Sequence, residues 1–412
     1  MKKSKLIIIW MVMIFTLVGC GVNNGKPSND SNNISNKQLT EKEKLDDFEY
    51  MYTIIKENYP YLEVNKRLNG VDWLAKKDDY INRIKATPND ESFFNTLNVI
   101  LSDLNNGHTQ MLNKKNYSYI KSVCEKNSEI DQAWLEQMNK SKTVERYSCM
   151  KEKDESKSSS EIVRSNNVKT MDLEKGKIAY LAIHSFNTFN IDEDMKIIKP
   201  YLEQIKNYND LIIDIRGNGG GDDKYWIDNI VPMLINEPLK EKLYLAFRGG
   251  DFLEPFVENR MGGYKKLEPI SDIYDENLKN LPPELKEDFK YYLKIISNYE
   301  PKNSVGFKGK IYLLVDKYVF SSSEEFAIFA KSTGFATLVG EKTGGDGLGD
   351  DPAVCALPNS GYVFRFTQEM GLVSDGACNF ENKTEPDIIV PAEGNSDISK
   401  DQVIQTVLKL VN

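Results

Sequence analysis

The chain has 412 residues, of which 40% are hydrophobic and 28% charged, with a formal net charge of -9. That composition is globular rather than disordered or fibrous, and the length allows two to three domains. Two histidines and five scattered cysteines leave no room for a multi-histidine or cysteine-cluster zinc site, the lack of a CxxC pair excludes a thioredoxin-like centre, and the acidic balance argues against nucleic-acid binding.

The first residues read as an address. Lys2, Lys3 and Lys5 form a positive region, and Leu6 to Leu17 an apolar run of twelve. Such a run is short for a membrane span, which needs about 20 residues, and fits a secretory signal over residues 1–19. It ends in Leu17-Val18-Gly19-Cys20, which resembles a bacterial lipobox; the resemblance implies lipidation of Cys20 and a folded body outside the cytoplasm, held to the membrane by its N-terminal lipid. Cleavage removes three of the 53 basic residues and none of the 62 acidic ones, leaving a net charge of -12. Residues 20–39, rich in Asn, Ser and Gly, read as a flexible tether.

An N-terminal helical domain is expected over residues 40–108. Thr40 and Glu43 make a capping box, and Leu45, Phe48, Met51, Tyr52 and Ile55 follow at helical spacing until Pro60. Two more helices are predicted over about 71–86 and after Pro88-Asn89-Asp90. Residues 109–170 are polar and uneven and read as a surface excursion or linker. From 171 to 412 strands alternate with helices, which predicts an α/β core. Strands are expected at 178–183, 211–215, 242–247, 311–315 and 336–339, with helices at 191–207 and 323–332. Segments 353–357 and 362–368 read as a hairpin. Residues 252–300 read as a charged insertion with a helix near 284–297.

Three segments could carry chemistry. Ser321-Ser322-Ser323 stands between a strand and a helix, where free N–H groups and the helix dipole favour developing negative charge; a plain N-cap serine would look the same. Asp214-Ile215-Arg216-Gly217-Asn218-Gly219-Gly220-Gly221 follows a buried strand. Its glycines allow close backbone approach, or merely a tight turn. Asn106-Gly107-His108-Thr109 places a histidine at a junction, whereas His184 sits in an apolar strand and reads as a structural, buried or edge residue.

In order, Gly-His-Thr, Asp-x-Arg-x-Asn-x-Gly-Gly, Ser-x-x-Glu-x-Phe-Ala and Leu338-Val339-Gly340-Glu341-Lys342-Thr343-Gly344-Gly345 resemble the S41 serine peptidases: the tail-specific and carboxyl-terminal processing peptidases and the tricorn protease core. Glu385-Pro386-Asp387-Ile388 matches that family's ending. The resemblance covers residues 40–395 and implies a ClpP/crotonase-like α/β core, no cofactor or metal, and a peptide or unfolded protein as substrate. Ser321, three positions before the motif glutamate, would be the nucleophile. The amide of Ser322 and that of Gly220 or Gly219 would form the oxyanion hole. Processing peptidases use a lysine about 25 positions after the serine, but that position is Asp346 here, and Lys342 is out of register. The tricorn-like branch uses the histidine of the Gly-His segment oriented by a later acid, which implies a triad of Ser321, His108 and Glu381. The 68 residues between His108 and Lys177 leave little room for the family's PDZ domain.

Cys124 with Cys149, and Cys355 with Cys378, could form disulfides outside the cell or stand as free thiols. The rival to a peptidase is a non-catalytic ligand- or peptide-binding lipoprotein on the same scaffold. An esterase with the same nucleophile is a third reading, though no GxSxG elbow is present.

Overall fold

A computed structural model describes residues 38–150, 167–391 and 397–411. The signal segment, Cys20, most of the tether and part of the 109–170 stretch lie outside the described residues.

The capping box forms as the sequence predicts. Glu43 N–H donates to Thr40 Oγ1 at 3.2 Å, and Thr40 N–H donates to the Glu43 carboxylate at 2.8 Å. The helix it opens spans Glu41–Asn58. Leu62–Asn69, not expected from the sequence, follows directly, and Lys77–Lys85 and Asp90–Ser102 complete the group. Phe48, Met51, Trp73, Tyr80, Phe93 and Leu97 fill the space between them.

The stretch expected as a polar excursion carries three helices, Lys114–Lys126, Gln132–Met138 and Ser141–Cys149. Few apolar residues were needed. Tyr117 stacks on Tyr147 with ring centroids 3.9 Å apart, and Trp134, itself buried, donates from Nε1 to the Pro352 carbonyl at 2.9 Å. Large aromatics bury enough area to anchor helices whose other faces are polar.

The core is a six-stranded sheet in the order Ile388–Ile389, Thr337–Gly340, Lys310–Val315, Asp210–Asp214, Ile178–Ile183, Val168–Glu174. All neighbours are parallel except the last pair. Strands covered on both faces read as continuous apolar runs, and Asp210–Asp214 is buried throughout. Leu211 and Ile213 face helices Ile191–Ile205 and Ser322–Thr333, while Ile212 faces helix Gln402–Val411.

The expected helix near 284–297 is instead largely strand. Only Leu285–Asp288 is helical, and Tyr291–Tyr299 pairs antiparallel with Leu239–Phe247 along its whole length. Tyr291, Tyr292, Ile295, Ile296 and Tyr299 favour a strand, and the partner strand offers backbone groups that need bonds. The predicted hairpin forms from Ala353–Ala356 and Val363–Phe366, and Gln110–Met111, just after His108, adds a third strand to it. From Leu39 on the chain is one compact unit. The helical residues and this small sheet share one hydrophobic cluster.

No disulfide joins the described cysteines: Cys124, Cys355 and Cys378 are buried thiols and Cys149 is exposed. Cys378 lies beyond the hairpin, capping the short helix Asn379–Asn382.

Candidate active site

The three segments meet at the carboxyl ends of neighbouring parallel strands. Asp210–Asp214 leads into the glycine run, and Lys310–Val315 leads through Asp316 to Ser321. Open α/β sheets bind ligands at that edge.

Ser321 has φ 58° and ψ -134°, a left-handed conformation rare outside glycine. The turn projects its hydroxyl away from the helix that starts at Ser322. Its neighbours point elsewhere. Ser322 Oγ accepts from Trp226 Nε1 at 3.3 Å, and Ser323 Oγ bonds to the Asn218 carbonyl; both serines are buried. Of the three, Ser321 is the one whose Oγ meets a base, lying 3.1 Å from His108 Nε2.

On the other side of the ring, His108 Nδ1 is 2.8 Å from Asp346 Oδ2. A carboxylate at neutral pH only accepts, so Nδ1 carries the proton and Nε2 is left to accept from Ser321. Asn106 fixes both partners. Its Nδ2 donates to Asp346 Oδ2 at 2.9 Å, and its Oδ1 accepts from His108 N–H at 2.8 Å. The His108 ring also packs on Phe320, with centroids 4.6 Å apart.

The structure does not bring Glu381 to His108. Glu381 accepts from Arg67 Nε at 2.9 Å and Nη2 at 2.7 Å, and the same guanidinium clamps Glu284. Asp346 holds the orienting position instead. Counting residues from the serine could not separate these acids, because the turn at Gly345 and Asp346 (φ 85° and 56°) decides which one folds back. Lys342 pairs with Glu385 at 2.8 Å on the surface. His184 lies just past the end of its strand and is exposed, not buried.

A link that sequence reasoning missed joins the serine's helix to the Asp346 loop. Glu324 accepts from Asn379 Nδ2 at 2.8 Å and Thr384 Oγ1 at 2.7 Å, and Asn379 Oδ1 accepts from Gly347 N–H at 2.9 Å. A Cβ on Gly347 would stand 2.6 Å from the Glu324 side chain, so the loop rests directly on the first helical turn. The Ser-x-x-Glu spacing was the visible signal. Burial raises the Glu324 carboxyl above its ordinary range.

The glycine run closes the other side. Gly220 has φ 96°, and a Cβ there would lie 2.7 Å from the Phe320 carbonyl oxygen and 2.9 Å from both Ser321 Cβ and Ser322 N. Its own N–H donates to Asn218 Oδ1 at 2.9 Å. The Gly220 amide is thus already engaged. Gly219 N–H and Ser322 N–H make no hydrogen bond among the described residues. Gly220→Ala is therefore expected to slow labelling of the serine by a phosphonate about 100-fold or more, since only backbone movement at the nucleophile can relieve the clash. A labelling rate close to wild type would show that the approach is not critical. The Asp-x-Arg part of the motif is structural. Arg216 bonds Asp214 through Nε at 2.9 Å and Nη2 at 2.6 Å, and Asp401, just before the last helix, through Nη1 at 2.9 Å.

Burial pushes the Asp350 carboxyl, four residues after Asp346, from 3.8 up to about 6 against the pull of Arg260. A raised carboxyl pKa is a stability penalty. It is absent below the unfolded value, grows as pH rises, and is complete above about 6. Asp350→Asn keeps an acceptor for the Asp351 N–H, now 2.8 Å away. It should raise stability by about 1–3 kcal/mol at pH 7.5 and leave it unchanged below pH 4, read as Tm against pH. A gain of the same size at both pH values would contradict this account.

No cluster of His, Cys, Asp and Glu able to hold a metal occurs among the described residues. A strained serine, a histidine and a buried acid beside unbonded amides at the end of an α/β sheet make an arrangement chemically able to carry out acyl transfer. Residues 177–390 match peptidase family S41, and the chain belongs to that family. Its fold is similar to that of a candidate peptidase from Parabacteroides merdae, with 20% identity and a TM-score of 0.56, covering 89% of this chain and 96% of the other. It is also similar to mature CPAF in complex with lactacystin, with 14% identity and a TM-score of 0.56, covering 90% and 97%. These likenesses establish the shared fold.

Proposed function

We propose that this S41 peptidase is a serine hydrolase of peptide bonds that works through an acyl-enzyme with Ser321, His108 and Asp346. The observation that carries the reading is the continuous line from Ser321 Oγ through His108 to Asp346, at 3.1 and 2.8 Å. Ser321 Oγ attacks the scissile carbonyl and its proton passes to His108 Nε2. Asp346 holds the ring in the required tautomer and stabilises the imidazolium. The N–H groups of Ser322 and Gly219 receive the oxyanion. His108 then protonates the leaving amine. In the second half a water gives its proton to His108 and attacks the ester, releasing the acid product and restoring Ser321.

A strained nucleophile paired with an oriented base favours catalysis over a purely binding role on this scaffold. Incubation with a diphenyl phosphonate followed by peptide mapping tests the reading. The label is expected on Ser321 alone, together with cleavage of an unstructured peptide library. Labelling elsewhere, or none with no cleavage, would overturn it.

The address at the N-terminus supports an extracytoplasmic enzyme tethered through lipid on Cys20. Cys20→Ser is expected to abolish incorporation of labelled palmitate and release the protein from the membrane fraction. Retained incorporation would refute lipidation at Cys20.

A further inference from the structure

The described arginines are paired with carboxylates, with one exception. Arg67, Arg83, Arg146, Arg216, Arg248 and Arg260 each have such a partner. Arg365 has none, although this is an acidic protein with carboxylates to spare. Leaving a half-buried guanidinium without a counter-ion is unfavourable, and burial pulls its pKa below the ordinary value. Such a feature calls for an account.

Its place supplies one. Arg365 lies on strand Val363–Phe366, opposite Gln110 of the strand that follows His108. Phe364 and Phe366 are fully buried, so by strand alternation Arg365 takes the other face. Its Nη2 reaches the Gly107 carbonyl at 3.4 Å, a long bond, one residue from the proposed base. With the Gln110 carboxamide turned oxygen-inward, Nη2 and Nε donate to it at 2.9 and 3.2 Å. No acceptor faces Nη1 among the described residues. The acids around it are committed elsewhere: Asp346 to His108 and Asn106, and Asp351 to Arg260 at 2.8 Å.

We propose that Arg365 is a substrate-binding residue whose guanidinium takes a carboxylate of the peptide, and so selects anionic substrates. The inference rests on the peptidase reading above. Arg presents a planar fork that matches a carboxylate and is pre-organised here by Gln110 and Gly107. The carboxylate has two possible sources, the substrate's C-terminus or an Asp or Glu side chain.

Two measurements test it. The first compares kcat/KM on a peptide with a free C-terminus, the same peptide amidated, and amidated peptides carrying Glu or Gln at one position. Rates are normalised to active sites by phosphonate titration. Wild type should favour an anionic member of one pair by about tenfold or more, chiefly in KM. Arg365→Gln should flatten that ratio to near one, and Arg365→Lys should restore part of it. A preference for the free acid over the amide assigns the C-terminus, and one for Glu over Gln assigns a side chain. No preference in wild type, or the same preference in Arg365→Gln, would overturn the proposal. So would a loss in kcat that is equal for all peptides, which would mark Arg365 as a support for the His108 segment.

The second measurement needs no turnover. Acetyl-trialanine acid, acetyl-trialanine amide and amidated acetyl-Ala-Glu-Ala are titrated into wild type and Arg365→Gln while the His108 ring signals are followed by NMR, with exposed His184 as internal reference. A saturable shift of His108 with an anionic peptide, absent with the neutral amide and in the variant, is the expected result. Absence of any anion-selective shift in wild type rejects the site. Failure of Ser321 labelling alongside a positive titration would instead reject the peptidase reading and leave the carboxylate site standing.

Discussion

Ser321→Ala should lower kcat by about 10⁵ to 10⁶, to the residual rate that binding and the oxyanion amides alone provide. Removing the hydroxyl removes the atom that forms the acyl-enzyme, so no rearrangement of His108 can compensate. The informative comparison is with its neighbours. Ser322 and Ser323 are buried, and their hydroxyls are bound to Trp226 and to the Asn218 carbonyl. Ser322→Ala should keep kcat within about tenfold, because the amide assigned to the proposed oxyanion site is unchanged. Ser323→Ala removes the hydroxyl that reaches the Asn218 and Phe320 carbonyls and accepts from Phe320 N–H, so its cost should show in stability, about 1–2 kcal/mol in denaturant unfolding. If Ser321→Ala turned over peptide at the wild-type rate while Ser322→Ala did not, the nucleophile assignment would move by one residue.

Asp346→Asn is expected to lower kcat by about 10³ to 10⁴ with KM little changed, as when the acid of a serine triad is neutralised in place. The side chain is 1% exposed and accepts from both His108 Nδ1 and Asn106 Nδ2. An amide nitrogen at Oδ2 would face two donors, which turns the ring toward the wrong tautomer. A steady-state comparison with Glu381→Gln decides between the two acids. Glu381 shares Arg67 with Glu284, at a partly exposed position. Its neutralisation weakens that pair and should change kcat by less than about fivefold. The reverse ranking would reinstate Glu381 and remove the basis for the proposed triad.

Much of the site was legible locally. The Gly-His pair, the glycine run and the Ser-x-x-Glu segment are short, and each motif depends on a turn or a helix start that neighbouring residues encode. Their resemblance to the S41 motifs therefore pointed to Ser321 and His108 before the fold was known, and the sequence showed that no lysine stands at position 346. The parallel strands were legible for a similar reason: a strand buried on both faces must be apolar along its length, as Leu211-Ile212-Ile213 is.

What was not legible depends on contacts between residues distant in the chain. The role of Asp346 arises from a loop that two positive φ values fold back over the first turn of the helix after Ser321, across a separation of 238 residues from His108. The three helices in 114–149 are held by a few aromatics, some paired within the stretch, as Tyr117 is with Tyr147, and some with distant residues, as Trp134 is with Pro352. Tyr291–Tyr299 became a strand because Leu239–Phe247 lies beside it with backbone groups to satisfy.

By itself the sequence determined the α/β alternation, which resides in local periodicity, and it carried the motifs whose resemblance to the S41 peptidases singles out Ser321 and His108. Only the tertiary structure decided which acid meets the histidine, which glycine amide is left unbonded, and which of the described arginines lacks a carboxylate partner. Those are questions of distance between groups that the chain order does not set, and hydrogen bonds form or fail within a few tenths of an ångström.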